Sequence, residues 1–358
     1  MKHAATAATL THAAPLRALG LVLLVGLVLG LWEPSRVAVG ALLLLPDVFP
    51  SAPLDPLGSL TPAPRRTEYD FAYPGGTVNA RVFHPAGGDW HGGVMLLLGV
   101  GELPRDDLAI RFAEALARLG VVVMLPESTG LLHEHVNQDE IDALGRCYEM
   151  LVGQPDVDPS RTGVIGLSAA GGLGIVAAAQ PALRDRVRLV TSLGGYYDAR
   201  SLLLDVASRS IEVEGQLVPW TPEQRTLDVV AQALIDALGS ETPEVAALLA
   251  GTSREDARAR IAALPDVVQA RLAQISPSSY LGAVRAHLYL LHDRDDSFIP
   301  FTETRALARA APPGLVRRYS EFSIFAHVIP DRPVAWQTLL PDLWALYWDL
   351  HAVLLELL

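Results

Sequence analysis

Residues 161–178, Arg-Thr-Gly-Val-Ile-Gly-Leu-Ser-Ala-Ala-Gly-Gly-Leu-Gly-Ile-Val-Ala-Ala, constrain this chain more than any other stretch. A short apolar strand, Gly163–Gly166, enters a turn of small residues and leaves as an alanine-rich helix reaching Ala179. Ser168 stands at the apex. A turn this abrupt strains the backbone of its apex residue, and only small neighbours can pass so close. Gly166, Ala169, Ala170, Gly171 and Gly172 supply them. A serine raised on a strand-to-helix turn is the setting of a nucleophile elbow. The plainer reading is a turn whose serine caps the helix. The usual pentapeptide is Gly-x-Ser-x-Gly; here Ala170 occupies its fifth position, with glycines one and two places later.

The surrounding pattern predicts a sheet for that turn to sit on. Arg66–Tyr73 and Thr77–His84 read as a hairpin across Pro74-Gly75-Gly76. Val94–Leu98, Val121–Leu125 and Arg188–Leu193 are short apolar strands, separated by helical patterns at Leu108–Leu119 and Glu140–Leu151. Short, fully apolar strands alternating with helices make an α/β protein with a mostly parallel sheet covered on both faces. From Asp198 to about Leu281 only helical patterns remain, at Thr226–Leu238, Pro243–Ala250, Arg254–Ala263 and Asp266–Ile275. This insertion is expected to form a helical cap over the carboxyl edge of the sheet, a helical appendage outside the sheet being the alternative. Strands resume at His287–Leu291 and Val316–Phe322, and a long helix spans Val334–Leu357.

The amino-terminal part carries something else. Leu16–Trp32 is an uninterrupted apolar run whose one charge is Arg17, and its roughly 17 residues are the short end of a membrane span. A signal-peptide core is the alternative, with a cleavage-like site near Val39-Gly40-Ala41. A retained anchor is favoured because a second apolar stretch, Val37–Leu45, follows at once and is expected to lie at the interface or pack on the membrane face of the domain. Lys2 and Arg17 precede or open the run, and Glu33, Asp47 and Asp55 follow it, which places the bulk of the chain on the extracytoplasmic side; cleavage of a signal would instead give a secreted protein. The reading divides the chain into an anchor or signal segment (1–45), a linker rich in Pro, Ser, Leu and Asp (46–65) and an α/β domain (66–358) with its cap at about 198–281. The lipid bilayer is then a partner through the amino-terminal helix. A net charge of −12 argues against nucleic acid as a partner. The single cysteine, Cys147, excludes an internal disulfide and a multi-cysteine metal site, and its helical setting makes it a buried structural thiol. His133-Glu134-His135 lacks an evident third ligand, so no metal is expected there.

A serine needs a base, and the base needs a third group to fix its tautomer. After the strand His287–Leu291 comes His292-Asp293-Arg294-Asp295-Asp296-Ser297-Phe298-Ile299-Pro300. Here the chain resembles the α/β-hydrolase family, which often carries His-Gly-x-x-Asp-x-x-Val-Pro at this place. On that pattern His292 matches the His, Asp293 replaces the Gly, and Asp296 falls on the acid of the triad. Asp293 and Asp295 are expected to be a surface turn capping the helix opened by Pro300. His327 follows the last strand and precedes the terminal helix, where the family's histidine resides. Ser168, Asp296 and His327 also come in the family's chain order. The resemblance, over about Arg66–Leu358, implies an α/β-hydrolase fold and an oxyanion hole. Ala169 supplies one backbone N–H; the second comes from Gly99-Val100-Gly101, which resembles the family's His-Gly-x-Gly turn with Leu98 for the His. Val100 is the first candidate and Gly101 the next.

The lead-in Asp158-Pro-Ser-Arg161 and the glycines after the elbow are most similar to the dienelactone-hydrolase-like and acyl-peptidase-like branches. Dienelactone hydrolases carry cysteine at the apex; serine here favours an esterase, thioesterase or amidase acting on a small-molecule acyl substrate without a cofactor. A non-catalytic α/β-hydrolase-fold protein binding a lipid or partner at the membrane is the alternative. Gly194-Gly195-Tyr196-Tyr197-Asp198 should reach the carboxyl edge of the sheet, its tyrosines lining the pocket or packing under the cap.

Overall fold

A computed structural model describes residues 33–50, 52, 54–88, 90–101, 106–240 and 242–358. In chain order it contains α1 (Glu33–Val48), α2 (Pro56–Leu60), β1 (Arg65–Tyr73), β2 (Gly76–His84), β3 (His91–Leu97), α3 (Asp106–Arg118), β4 (Val121–Ser128), α4 (Thr129–Leu132) and α5 (Gln138–Val152). Then come β5 (Val157–Leu167), α6 (Ala169–Ala178), β6 (Leu189–Leu193), α7 (Ala199–Ser208), β7 (Ser210–Val213), β8 (Gln216–Pro219), α8 (Gln224–Leu238), α9 (Pro243–Leu249), α10 (Arg254–Ala262) and α11 (Asp266–Gln274). A 3-10 turn at Pro277–Ser279, β9 (His287–Asp293), α12 (Phe301–Ala310), β10 (Val316–Phe322) and α13 (Trp336–Leu357) complete it.

Eight strands form one sheet in the order β1-β2-β4-β3-β5-β6-β9-β10. β2 pairs antiparallel with β1 and β4, and every later pairing in the sheet is parallel. The inner strands are apolar throughout because both faces are covered. Along β3, Met95 and Leu97 join Val122, Met124 and Val164 in the core beneath α5 and α6, while Val94 and Leu96 join Val123, Ile165 and Leu189 beneath α1, α3 and α13. The period of two sends successive side chains to opposite faces. Each fully buried Leu or Val contributes about 1.5–3 kcal/mol. The strands from β4 to β10 in the sheet order run the same way, so the loops after β3, β5, β9 and β10 gather at one edge.

Several elements depart from expectation. The β1–β2 loop is the two-residue turn Pro74-Gly75, since Gly76 (φ 135) already pairs with Tyr73. The insertion contains a helix, α7, and a hairpin, β7–β8, turning through Glu214 and Gly215 with φ of 53 and 80. Residues 46–65 are not a free spacer. α1 runs through Pro46 to Val48, and α2 buries Leu57 against α3. Arg118 donates to the carbonyls of Thr61 (2.7 Å) and Pro62 (3.0 Å), and Arg111 donates to that of Phe49. Val37, Ala41 and Leu44, spaced as one helical face, pack on the sheet's helical layer. Among the described residues no helix is long and apolar enough to cross a membrane. The run Leu16–Trp32, read as a span, lies outside the described residues.

Candidate active site

Ser168 leaves β5 with φ 58 and ψ −140, a left-handed conformation that costs a non-glycine residue about 1–3 kcal/mol. Its own N–H is held by Leu193 O at 2.8 Å, and its carbonyl accepts the Gly171 N–H at 2.9 Å. The side chain makes no capping hydrogen bond to α6, which removes the plainer reading of this serine. The glycines are placed by close approach. A Cβ on Gly166 would lie 2.5 Å from Ala170 O, and one on Gly171 would lie 2.3 Å from Ser192 Oγ. The methyl of Ala170 is fully buried, so the fifth position of the pentapeptide accommodates alanine while the tight contact falls on Gly171.

The loops after β9 and β10 bring Asp296 and His327 together. His327 Nδ1 lies 2.6 Å from Asp296 Oδ2. Oδ1 of the same carboxylate accepts the N–H groups of Phe298 (2.7 Å) and Ile299 (3.1 Å). His292 Nε2 approaches Oδ2 at 3.2 Å and Ile299 O at 2.8 Å, so that nitrogen carries a hydrogen. Burial pushes the Asp296 carboxyl up; the opposing charge of His327 and the hydrogen bonds from His292 and His327 outweigh it and hold the group well below the usual carboxylate range. His327 sits at φ 63 in a tight turn closed by Ala326 N–H to Ile329 O at 2.7 Å. Its Nε2 is buried and has no hydrogen-bond partner. Ser168 and His327 line one cavity of about 70 Å³ with Val100, Ala169, Phe298 and Ile299.

No protein-family model and no curated protein matches this sequence. Solved structures match it in shape. The 2,6-dihydroxy-pseudo-oxynicotine hydrolase aligns with TM-score 0.52 at 16% identity, covering 81% of this chain and 68% of that one. An acylaminoacyl peptidase of Pyrococcus horikoshii aligns with TM-score 0.51 at 13% identity over 82% of this chain and 41% of its own. A puromycin-hydrolyzing peptidase of Mycobacterium tuberculosis gives 0.52 at 17% identity, over 84% and 39%. The fold is that of the α/β hydrolases. This chain spans under half the length of the two peptidases.

Within this α/β-hydrolase fold the loop after β3 touches the elbow directly. Gly99 has φ 102, and a Cβ there would lie 3.1 Å from both Leu167 O and Ser168 Cβ. Val100 lines the cavity beside Ser168. Gly101, expected as an alternative oxyanion donor, is corrected by the structure: its N–H donates to Leu131 O at 2.6 Å and is not available to a ligand oxygen. Ala169 opens α6, where backbone N–H groups lack helical acceptors. Leu202 of α7 and Arg225, Val229 and Val230 of α8 complete the cavity wall, so the insertion contributes to the site.

Other expectations fare differently in this fold. Asp293 is fully buried rather than on the surface; it accepts the Phe325 N–H at 2.8 Å and meets Arg332 at 3.3 Å, which anchors the loop bearing His327. Asp295 is exposed and pairs with Arg332. Pro300 immediately precedes α12 as its cap residue. Tyr196 is buried, its hydroxyl donating to Ile275 O at 2.6 Å, so it packs under the insertion. Burial pushes the Cys147 thiol up to about 12. His133 Nδ1 meets Thr129 O, whereas His135 Nδ1 meets Asp236 Oδ2, so the two rings serve different partners. Among the described residues no group of three His, Cys, Asp or Glu could hold a metal ion. The sequence reading missed Phe298, whose ring stacks on His327, and Gly194, which passes against the imidazole. A Phe two places after the acid carries no signal of its own; Gly194 stood in a noted glycine pair whose role only packing reveals.

Proposed function

We propose that this chain is a serine hydrolase that cleaves a carboxylic ester, thioester or amide through an acyl-enzyme on Ser168. The observation that carries the reading is the state of His327: one ring nitrogen is fixed by Asp296, the other is buried without a partner, and the ring shares a cavity with Ser168. Nε2 takes the Ser168 hydroxyl proton as Oγ bonds to the acyl carbon. The oxyanion is met by the N–H groups of Ala169 and Val100. Nε2 then delivers that proton to the leaving group as its bond to the acyl carbon breaks. Water repeats the sequence to release the acid. General base catalysis is worth about 10²–10⁴ in rate, and one oxyanion donor about 10²–10³.

The space beside Ser168 is small for a ligand pocket, about 70 Å³, and Leu202, Val229 and Val230 make it apolar. This supports a short apolar acyl group under an insertion that acts as a cap. The bulk of the chain is assigned to the extracytoplasmic side of a membrane held by Leu16–Trp32. The test is labelling by a fluorophosphonate, followed by turnover of nitrophenyl esters of graded acyl length. Wild type should label and Ser168→Ala should not, with acetyl or butyryl esters preferred over long-chain ones. Labelling that persists in Ser168→Ala would refute the assignment. Absence of both labelling and turnover in a folded wild type would favour a non-catalytic binding protein.

A further inference from the structure

Helices α1 and α13 lie side by side and run in opposite directions. The first turns of α1 share a cleft with Leu357 and Leu358, while Asp47 and Val48 at its end share one with Leu346 and Leu350. Their inner faces bury Val37, Ala41 and Leu44 against Leu346, Val353 and Leu354. Their outer faces also carry exposed apolar side chains. On α13, Trp336, Leu340, Trp344 and Trp348 recur every four residues and are exposed, Trp336 at 66% and Trp344 at 63%. Val39 and Leu42 stand outward from α1. A helix facing water carries charge on its outer side. Here every acid of α13 is engaged elsewhere: Asp342 with the Ser323 N–H, Asp349 with Arg318, and Glu356 with Arg188 and His287. Among the described side chains of α1 the exposed charge is a cation, Arg36, in a chain of net charge −12.

We propose that α1 and α13 form a platform that lies on the surface of a phospholipid bilayer, with the three tryptophans of α13 at the level of the headgroups. Exposed apolar patches mark interaction surfaces, and tryptophan concentrates where an apolar core meets water. A helix with one face buried in its domain and the other in the acyl boundary binds parallel to the membrane. The bilayer is chosen over a second copy of the chain because α1 begins where the apolar run Leu16–Trp32 ends, with no residue between Trp32 and Glu33. That junction brings any lipid held by the run to the first turn of α1, where Arg36 complements anionic headgroups. Trp344 stacks on Tyr347 at 5.8 Å and meets Trp348 edge-on at 5.6 Å, so the aromatic side chains of this face pack on one another. The proposal rests on the assignment of Leu16–Trp32 to a membrane and is independent of hydrolysis.

The test uses the full chain carrying Trp32→Phe, reconstituted into phosphatidylcholine–phosphatidylglycerol vesicles whose acyl chains are either plain or dibrominated. Bromine quenches only indoles that sit at the lipid. Brominated vesicles should lower the tryptophan emission by roughly half, because three of the remaining tryptophans lie on α13. Adding Trp336→Phe, Trp344→Phe and Trp348→Phe should remove most of that quenching. Leu42→Glu alone, at an exposed site that folding tolerates, should reduce it at least twofold. Quenching that is absent, or unchanged by these substitutions, would overturn the proposal. So would a dimer of the detergent-solubilised chain, seen by sedimentation and abolished by Leu42→Glu, which would give the face to a second copy.

Discussion

The ring of Phe298 lies on the imidazole of His327, centroids 4.6 Å apart and planes 18° from parallel. The N–H of the same residue holds Asp296 Oδ1 at 2.7 Å. One residue of the acid loop therefore fixes the carboxylate through its backbone and the imidazole through its side chain. An aromatic contact of this kind is worth about 0.5–1.5 kcal/mol, or up to about tenfold in rate if it is spent on orienting the base. Phe298→Ala should slow fluorophosphonate labelling of Ser168 about tenfold at saturating probe, since the backbone N–H survives. Labelling at the wild-type rate would show that Asp296 alone positions the ring.

Gly194 also approaches the imidazole. With φ 69, it would bring a Cβ within 3.3 Å of His327 Cε1 and Nδ1. Gly194→Ala should cost about 1–2 kcal/mol in backbone strain and also displace the ring, lowering labelling more than tenfold. Gly215→Ala is the control, because Gly215 has φ 80 and a Cβ added there would meet nothing within 4 Å. It should lose similar stability by urea titration and keep its labelling rate.

Asp296 titrates below its ordinary value of 3.8 because the charge and hydrogen bonds of its two histidine neighbours outweigh burial. In the folded chain the carboxylate therefore stays ionised at pH values where the unfolded chain has bound a proton. The stability this contributes is present above about pH 4 and is lost as pH falls below it. Asp296→Asn should be destabilised by about 1–3 kcal/mol at pH 7, with the gap to wild type closing below pH 4. Urea midpoints at pH 7, 5 and 3.5 measure this.

Glu303 behaves in the opposite sense. It is buried at the start of α12 and accepts the N–H groups of Tyr197 (2.8 Å) and Asp198 (3.1 Å) and the Ser201 hydroxyl (2.6 Å), tying the root of the insertion to the sheet. Burial raises it from 4.5 to about 7 despite these bonds. The folded chain then holds a proton that the unfolded chain releases, so stability falls as pH rises from about 4.5 to 7, by up to about 3 kcal/mol. Glu303→Gln keeps the acceptor oxygen without the charge. Its stability relative to wild type should rise across that window, and a pH-independent difference in urea midpoint would contradict the assignment.

Most strands and helices of residues 66–193 were legible in the sequence because the buried strands are short apolar runs and α3 and α5 carry apolar stripes; α4 was missed, and β5, read as Gly163–Gly166, runs Val157–Leu167. β10 was read with its observed bounds, Val316–Phe322. The hairpin β7–β8 was missed although Glu214-Gly215 lies between alternating residues, a turn signal overshadowed by the helical patterns that follow it. The docking of residues 46–65 carried no periodic signal. It rests on Leu57 and on two arginines of α3, contacts between segments about 60 residues apart.

Local pattern alone pointed to the elbow and the parallel sheet, because backbone strain and burial act within a few residues of the chain, while the resemblance to the α/β-hydrolase family pointed to Asp296 and His327. Tertiary structure decided the rest. It turned Asp293 from a surface cap into the buried anchor of the histidine loop, and it gave the Gly101 N–H to Leu131. It also laid Phe298 and Gly194 against His327. Those outcomes depend on which loops meet at one edge of the sheet, and that meeting is set by packing across the whole core rather than by any stretch of sequence read alone.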